Sequence, residues 1–346
     1  MFKSTSDAPD KSQSIQNVAI KLVTEQMKLM QLENGPKETT VFVLGSKGAG
    51  KSGIINKFFD REENSRPTLA LEYSFGRRTG QMRANDKQIL NVWELGCLDN
   101  SNQLVEVPMR SHGLENFSAI IVLDLSQPNR LWSDLECALQ GLKRAYTKQV
   151  SESDVGRHKQ KAEERVSKDH PDLGSLELFP FTIVIVGGKY DVFQDFDPEI
   201  KKHVCRCLRS ISHAIGAALL FYSQKIPSLA KTMRDTFSHL GFGSPTHPFR
   251  NTTTSDYNGP IMIWFGSDSW EKIGVTPSNS ERIGVTFNAE IKQVKGESQA
   301  ALPDDPTKDP GFRESLIDEM RAQKDEELMT LIRDTEIRSK FETVAS

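Results

Sequence analysis

The residues with the clearest chemical potential are Gly45, Ser46, Lys47, Gly48, Ala49, Gly50, Lys51 and Ser52. Together they satisfy GxxxxGK[ST] at every fixed position. Gly45, Gly48 and Gly50 allow the backbone to curl so that successive N–H groups point inward at phosphate oxygens. Lys51 brings a positive charge to the terminal phosphates. Ser52 offers a hydroxyl to Mg²⁺ where the next helix begins, and a helix N-terminus favours anions. A glycine-rich turn that binds nothing is the plain alternative. Context argues against it, because a β-branched run (Thr39–Leu44) precedes the loop and a helix-competent run (Gly53–Phe59) follows it.

Small GTPases complete such a site with four further elements, and each has a counterpart position in this chain. Thr68, after Pro67, stands where a switch threonine would meet the cation and the terminal phosphate. The DxxG position reads Trp93-Glu94-Leu95-Gly96, so Trp93 replaces the aspartate that holds Mg²⁺ through water. Glu94 is expected on the opposite face of an extended strand, which makes it a poor substitute. Cys97 occupies the place of the glutamine that orients the attacking water. The base-reading position, NKxD elsewhere, reads Gly188-Lys189-Tyr190-Asp191. A carboxylate at Asp191 can accept both the N1–H and the exocyclic amine of guanine, and Lys189 can lay its stem along the base. Ser223-Gln224-Lys225 matches the SAK-like turn, which adds Ser223 to the base site. The expected ligand is GDP or GTP with Mg²⁺ at Ser52, or no ligand at all. No residue is assigned a catalytic role, because the parts that run hydrolysis are absent or changed.

These residues need strands and helices to hold them. Strands are expected at Thr39–Leu44, Leu71–Phe75, Ile89–Leu95, Ser118–Leu125, Phe181–Gly187, Ala217–Tyr222 and, on a sheet edge, Ile261–Phe265. Helices are expected at Ser14–Leu32, from Asn129 to about Val150 with a possible charged continuation toward Pro171, at Pro198–Ile215, at Ser228–Leu240 and at Phe312–Glu342. Strands alternating with helices predict an α/β fold with a mostly parallel sheet covered on both faces. The chain divides into a polar start and amphipathic helix over residues 1–37, a P-loop domain over 38–295, and a linker with a charged helix over 296–346. Residues 241–259 read as a loop.

Composition narrows the function further. Hydrophobic residues make up 37% and charged residues 26%, the formal net charge is −3, and there are 4 cysteines. That charge gives no general pull toward nucleic acid or a membrane surface. No apolar run reaches the roughly 20 residues of a membrane span, and the first residues carry no apolar stretch of the secretory kind. Cys97, Cys137, Cys205 and Cys207 lack paired spacing and read as buried free thiols in a reducing cytoplasm.

Several stretches resemble the light intermediate chains of cytoplasmic dynein, and within that family the dynein-2 branch. They are Val43–Ser52, Arg66–Arg78 (RPTLALEYSFGRR), Val92–Gly96, Ile121–Asn129, Lys168–Asp172 (KDHPD) and Ile185–Phe196 (IVGGKYDVFQDF). The resemblance implies a Ras-like domain that packs on the dynein-2 heavy-chain tail and is not itself a motor. It also implies association with the other dynein-2 subunits and the intraflagellar transport machinery. The matching locations are cytoplasm, cytoskeleton, cilium, basal body and axoneme. An active GTPase switch is the rival reading, opposed by Trp93 and Cys97. P-loop kinase chemistry lacks an acceptor site or lid.

Overall fold

The structure, a computed structural model, describes residues 37–61, 67–79, 87–98, 103–243, 253–294, 311 and 314–345. The helix expected at Ser14–Leu32 lies outside these residues, as does nearly all of the expected linker. The chain forms two compact units, of which the first runs to Val294 and the second takes Lys295–Ser346.

The first unit is built on a seven-stranded sheet. In chain order the strands are β1 (Lys37–Gly45), β2 (Leu71–Thr79), β3 (Lys87–Leu95), β4 (Phe117–Asp124), β5 (Thr182–Gly188), β6 (Ala218–Phe221) and β7 (Met262–Ile263). Their spatial order is β2-β3-β1-β4-β5-β6-β7. The five central strands run parallel, while β2 and β7 lie antiparallel at the two edges. Strands β4 and β6 are buried along their whole length, as expected of parallel strands covered on both faces.

Each face of the sheet has its own core. On one, Val41, Val43, Leu90, Val92, Ile120, Val122, Val184 and Val186 pack with helices α1 (Lys51–Phe58) and, farther along the chain, α7 (Pro227–Phe242). On the other, Phe42, Leu44, Leu95, Ile121 and Ile185 meet α2 (Glu106–His112), α3 (Pro128–Gln149) and α6 (Pro198–Ala214). Helix α4 (Glu152–Val166) and the single turn α5 (Tyr190–Phe193) fall between these in the chain. Short α8 (Trp270–Ile273) and α9 (Ser280–Glu290) follow β7. Phe287 of α9 stacks on Trp132 of α3 at 5.1 Å.

The expected long helix after Asn129 is in fact two helices. Val150 turns extended at φ −76°, ψ 136°, and Ser151 then starts α4, its hydroxyl bonded to Asp154 at 2.6 Å. None of the four cysteines is in a disulfide, and only Cys205 and Cys207 are buried, whereas Cys97 and Cys137 are partly exposed. The second unit contains α10 (Ser315–Ala345), whose Leu316, Ile317, Met320, Leu328, Met329, Leu331 and Ile332 are all exposed. No described helix is long and apolar enough to cross a membrane.

Candidate functional site

Five parallel strands place their carboxyl ends along one rim, and strand order reverses beside β1, the position where open α/β sheets bind ligands. The phosphate loop leaves β1 at this point. Gly45, Gly48 and Gly50 have φ of 136°, 72° and 95°, conformations that favour glycine. Helix α1 then starts at Lys51 with no side-chain cap and no acidic residue in its first turn. Its first N–H groups and its dipole are therefore left to an anion. Ser46 and Ala49 are buried, while Lys47, Gly48 and Gly50 face solvent.

Lys51 is only 4% exposed. Its ammonium donates to the carbonyls of Gly45 (3.1 Å), Ser46 (2.9 Å) and Gly96 (3.3 Å). Burial lowers its pKa, with the nearby charge of Glu94 working in the opposite direction. Two carbonyls of the loop and that of Gly96, just after β3, thus hold the cation in place.

Glu94 lies on the face opposite Trp93, as expected, but that face is the one turned to the phosphate loop, so it is not the poor substitute expected. The Ser52 hydroxyl donates to Glu94 Oε1 at 2.6 Å, and Glu94 is buried. The reason lies in the two-residue period of β3. Leu90 and Val92 belong to the core beneath α1, so Glu94 shares their face and points at the phosphate loop. Trp93 faces the other side, 4.8 Å from the ring of Tyr73 and partly buried against the opposite core. Burial raises the Glu94 pKa, opposed by the Ser52 hydrogen bond and the Lys51 charge. The Thr68 hydroxyl donates to Glu72 Oε2 at 3.0 Å. Ser52 and Glu94 form an oxygen donor pair, the kind a hard divalent cation takes. These residues fit Mg²⁺.

The residues expected to read a base converge from β5 and β6. Lys189 adopts a left-handed conformation (φ 57°) and pairs with Asp124 Oδ2 at 2.6 Å, at the end of β4. Asp191 accepts from the Ser223 hydroxyl at 2.7 Å through one oxygen, and pairs with Lys225 at 2.7 Å through the other. Lys225 and Ser223 hold the Asp191 carboxyl below its ordinary pKa. Lys225 is 79% exposed, so it can yield its place to a ligand.

Gly188 replaces the usual asparagine for a steric reason. A Cβ there would lie 2.7 Å from the Ala49 carbonyl oxygen, so the base loop abuts the phosphate loop directly. Gln224 closes the same junction, since a Cβ on Gly53 would sit 3.2 Å from its Oε1. All the residues expected from sequence therefore lie along one rim. Sequence reasoning passed over Asp124, although a carboxylate ending a fully apolar strand was a usable signal.

A second polar cluster involves the KDHPD stretch. His170, Asp172 and His213 bring their ligand atoms within 4.8 Å of one another. Their bonding is already committed to protein. His170 Nδ1 accepts from the Asp172 N–H (3.2 Å) while Nε2 lies 2.9 Å from the Asp268 carbonyl. Asp172 Oδ2 receives His213 Nε2 (2.9 Å) and the Trp270 N–H (3.0 Å). Arg209 grips the Asp268 carboxylate with two bonds of 2.9 Å. With both His170 nitrogens engaged, this network pins the loop after α4 to α6 and α8.

The sequence profile described as dynein light intermediate chain matches residues 23–172. Cytoplasmic dynein 2 light intermediate chain 1 of Mus musculus is 39% identical over 308 residues, covering 84% of this chain and 86% of that protein. The protein of the same name from Danio rerio is 37% identical over 311 residues, covering 85% of each. The crystal structure of the dynein light intermediate chain's conserved domain superposes with a TM-score of 0.54. It covers 76% of this chain and 93% of that one at 16% identity, a likeness of fold.

Proposed function

This chain belongs to the dynein light intermediate chain family, and we propose that it is the light intermediate chain of a cytoplasmic dynein-2 complex. In this reading it binds and stabilises the heavy-chain tail and contacts the other dynein-2 subunits. It thereby serves retrograde intraflagellar transport and cilium assembly, at the basal body and along the axoneme. The relatives named above support the assignment to dynein-2.

The observation that carries the non-catalytic part of the reading is a split within the nucleotide site. The residues proposed to cradle phosphate and to read the base are retained, while Trp93 turns its ring to the far side of the sheet and Cys97 stands where a water-orienting amide would be. A bound GDP or GTP would act as part of the core, stabilising the fold by mass action.

The Ser52–Glu94 pair favours a second reading, a slow GTPase switch, because it preserves donors for a cation. Turnover separates the two. Intrinsic hydrolysis by a small GTPase runs at ~4 × 10⁻⁴ s⁻¹. For this chain the expected rate is at least about tenfold lower, and the same in Lys51→Ala as in the unaltered chain. A measurable rate that collapses in Lys51→Ala would establish the switch instead.

A further inference from the structure

We propose that two copies of this chain pair through the outer edge of β2, antiparallel and centred on Phe75. Such pairing needs no nucleotide and goes beyond heavy-chain binding.

β2 is nine residues long and ends the sheet, with β3 its sole partner among the described strands. The ladder between them runs without a bulge from Leu71 opposite Leu95 to Thr79 opposite Lys87. β2 contains neither proline nor lysine, so several of the devices that blunt a sheet edge are missing. Its outer backbone groups offer a template for another strand. Tyr73 and Phe75 share one face of the strand and are 45% and 51% exposed. Their rings stack at 6.3 Å, and the Arg77 guanidinium lies 5.4 Å from the Phe75 centroid.

The order of side chains along LEYSFGRRT identifies the occupant. Turned about a two-fold axis through Phe75, the strand meets itself in complementary pairs. Phe75 faces Phe75 on the axis. Tyr73 faces Arg77 of the second copy, a ring against a guanidinium. On the other face of the sheet Glu72 meets Arg78 of the second copy, and the axis repeats both pairs. Directly opposed side chains stand about 4.5–5.5 Å apart at Cβ, close enough for each pair to contribute. An axis one residue either way would set Glu72 against Gly76 or past the end of β2, with no cation opposite.

The test is sedimentation of the full-length chain over a dilution series, where a monomer–dimer equilibrium is expected. Arg78→Glu sets carboxylate against carboxylate twice and should raise the dimer dissociation constant about tenfold or more. Adding Glu72→Arg to it restores both pairs with the signs exchanged and should bring the constant back to within about threefold. Phe75→Cys places two thiols face to face on the axis. It should form a disulfide-linked dimer on oxidation well beyond the background of the unaltered chain, whose Cys97 and Cys137 are partly exposed. Thiols in Arg77→Cys would stand about 13 Å apart along the strands and should not link. Thermal melts report whether each chain is folded. A chain that is monomeric at every concentration would overturn the proposal and leave the edge to a strand of another protein. A dimer unchanged in folded Arg78→Glu would also overturn it. Should Arg78→Glu fail to fold, the cysteine pair decides: no more link in Phe75→Cys than in Arg77→Cys would overturn the register and the proposal with it.

Discussion

Alanine in place of Gly45 is expected to leave no folded first unit. A Cβ at this position would lie 1.9 Å from the Val122 carbonyl oxygen and 2.7 Å from the Val122 carbonyl carbon and amide nitrogen. These are backbone atoms of the neighbouring strand, since Gly45 and Val122 are register partners across β1 and β4. Val122 cannot retreat without opening the ladder, and its carbonyl also accepts the Ser46 N–H at 2.9 Å. A φ of 136° adds strain for any residue other than glycine. The combined cost should exceed about 4 kcal/mol, which is comparable with the whole stability of many domains. Gly48 provides the control from within the same loop. Its φ is 72°, yet nothing stands within 4 Å of its would-be Cβ. Gly48→Ala should therefore cost only the left-handed penalty of about 1–2 kcal/mol, lowering the melting temperature by several degrees. Soluble yield and thermal melting check the pair, and a Gly45→Ala chain that melts like Gly48→Ala would contradict the close packing of β1 on β4.

Asp191→Ala is expected to remove the preference for guanine over adenine. Asp191 is held with one oxygen on Ser223 and the other beside the exposed Lys225. It is thus oriented before any base arrives. Two hydrogen bonds to a charged acceptor contribute about 1.5–3 kcal/mol each, so GDP affinity should fall by about 100-fold or more. ADP binding, which never used those bonds, should hardly change. Lys51→Ala should instead weaken GDP and ADP together, because it acts on phosphate. Competition titrations with the two nucleotides in Mg²⁺ distinguish these patterns. A GDP-to-ADP ratio unchanged in Asp191→Ala would remove Asp191 from the base site.

Much of the sheet was readable from sequence because its strands are short apolar runs bounded by breakers. Thr39–Leu44 lies within β1, and Phe181–Gly187 matches β5 to within a residue at each end. The start of α6 was readable too: Pro198 takes the first turn while the Asp197 carboxylate accepts from the Glu199 N–H at 2.9 Å. Helix α9 was not seen. Its sequence, SERIGVTFNAE, carries a glycine and β-branched residues with little helical preference. Packing of Phe287 on Trp132 and the Asn279 cap on the Arg282 N–H outweigh that preference.

Glu94 was legible only in part, because the DxxG slot alone does not say which face of β3 meets α1. The alternation Leu90, Val92, Glu94 already assigned it to the α1 side, but which side α1 covers is a tertiary fact. The pairing of Asp191 with both Ser223 and Lys225 likewise depends on β5 and β6 lying side by side, a contact between segments more than 30 residues apart.

The central claim is that this chain acts by assembly, and size-exclusion chromatography of the full chain mixed with a dynein-2 heavy-chain tail fragment tests it most directly. Co-elution in a single earlier peak is the predicted result, retained in Lys51→Ala so long as that chain is folded. Separate elution of two well-folded proteins would contradict the account.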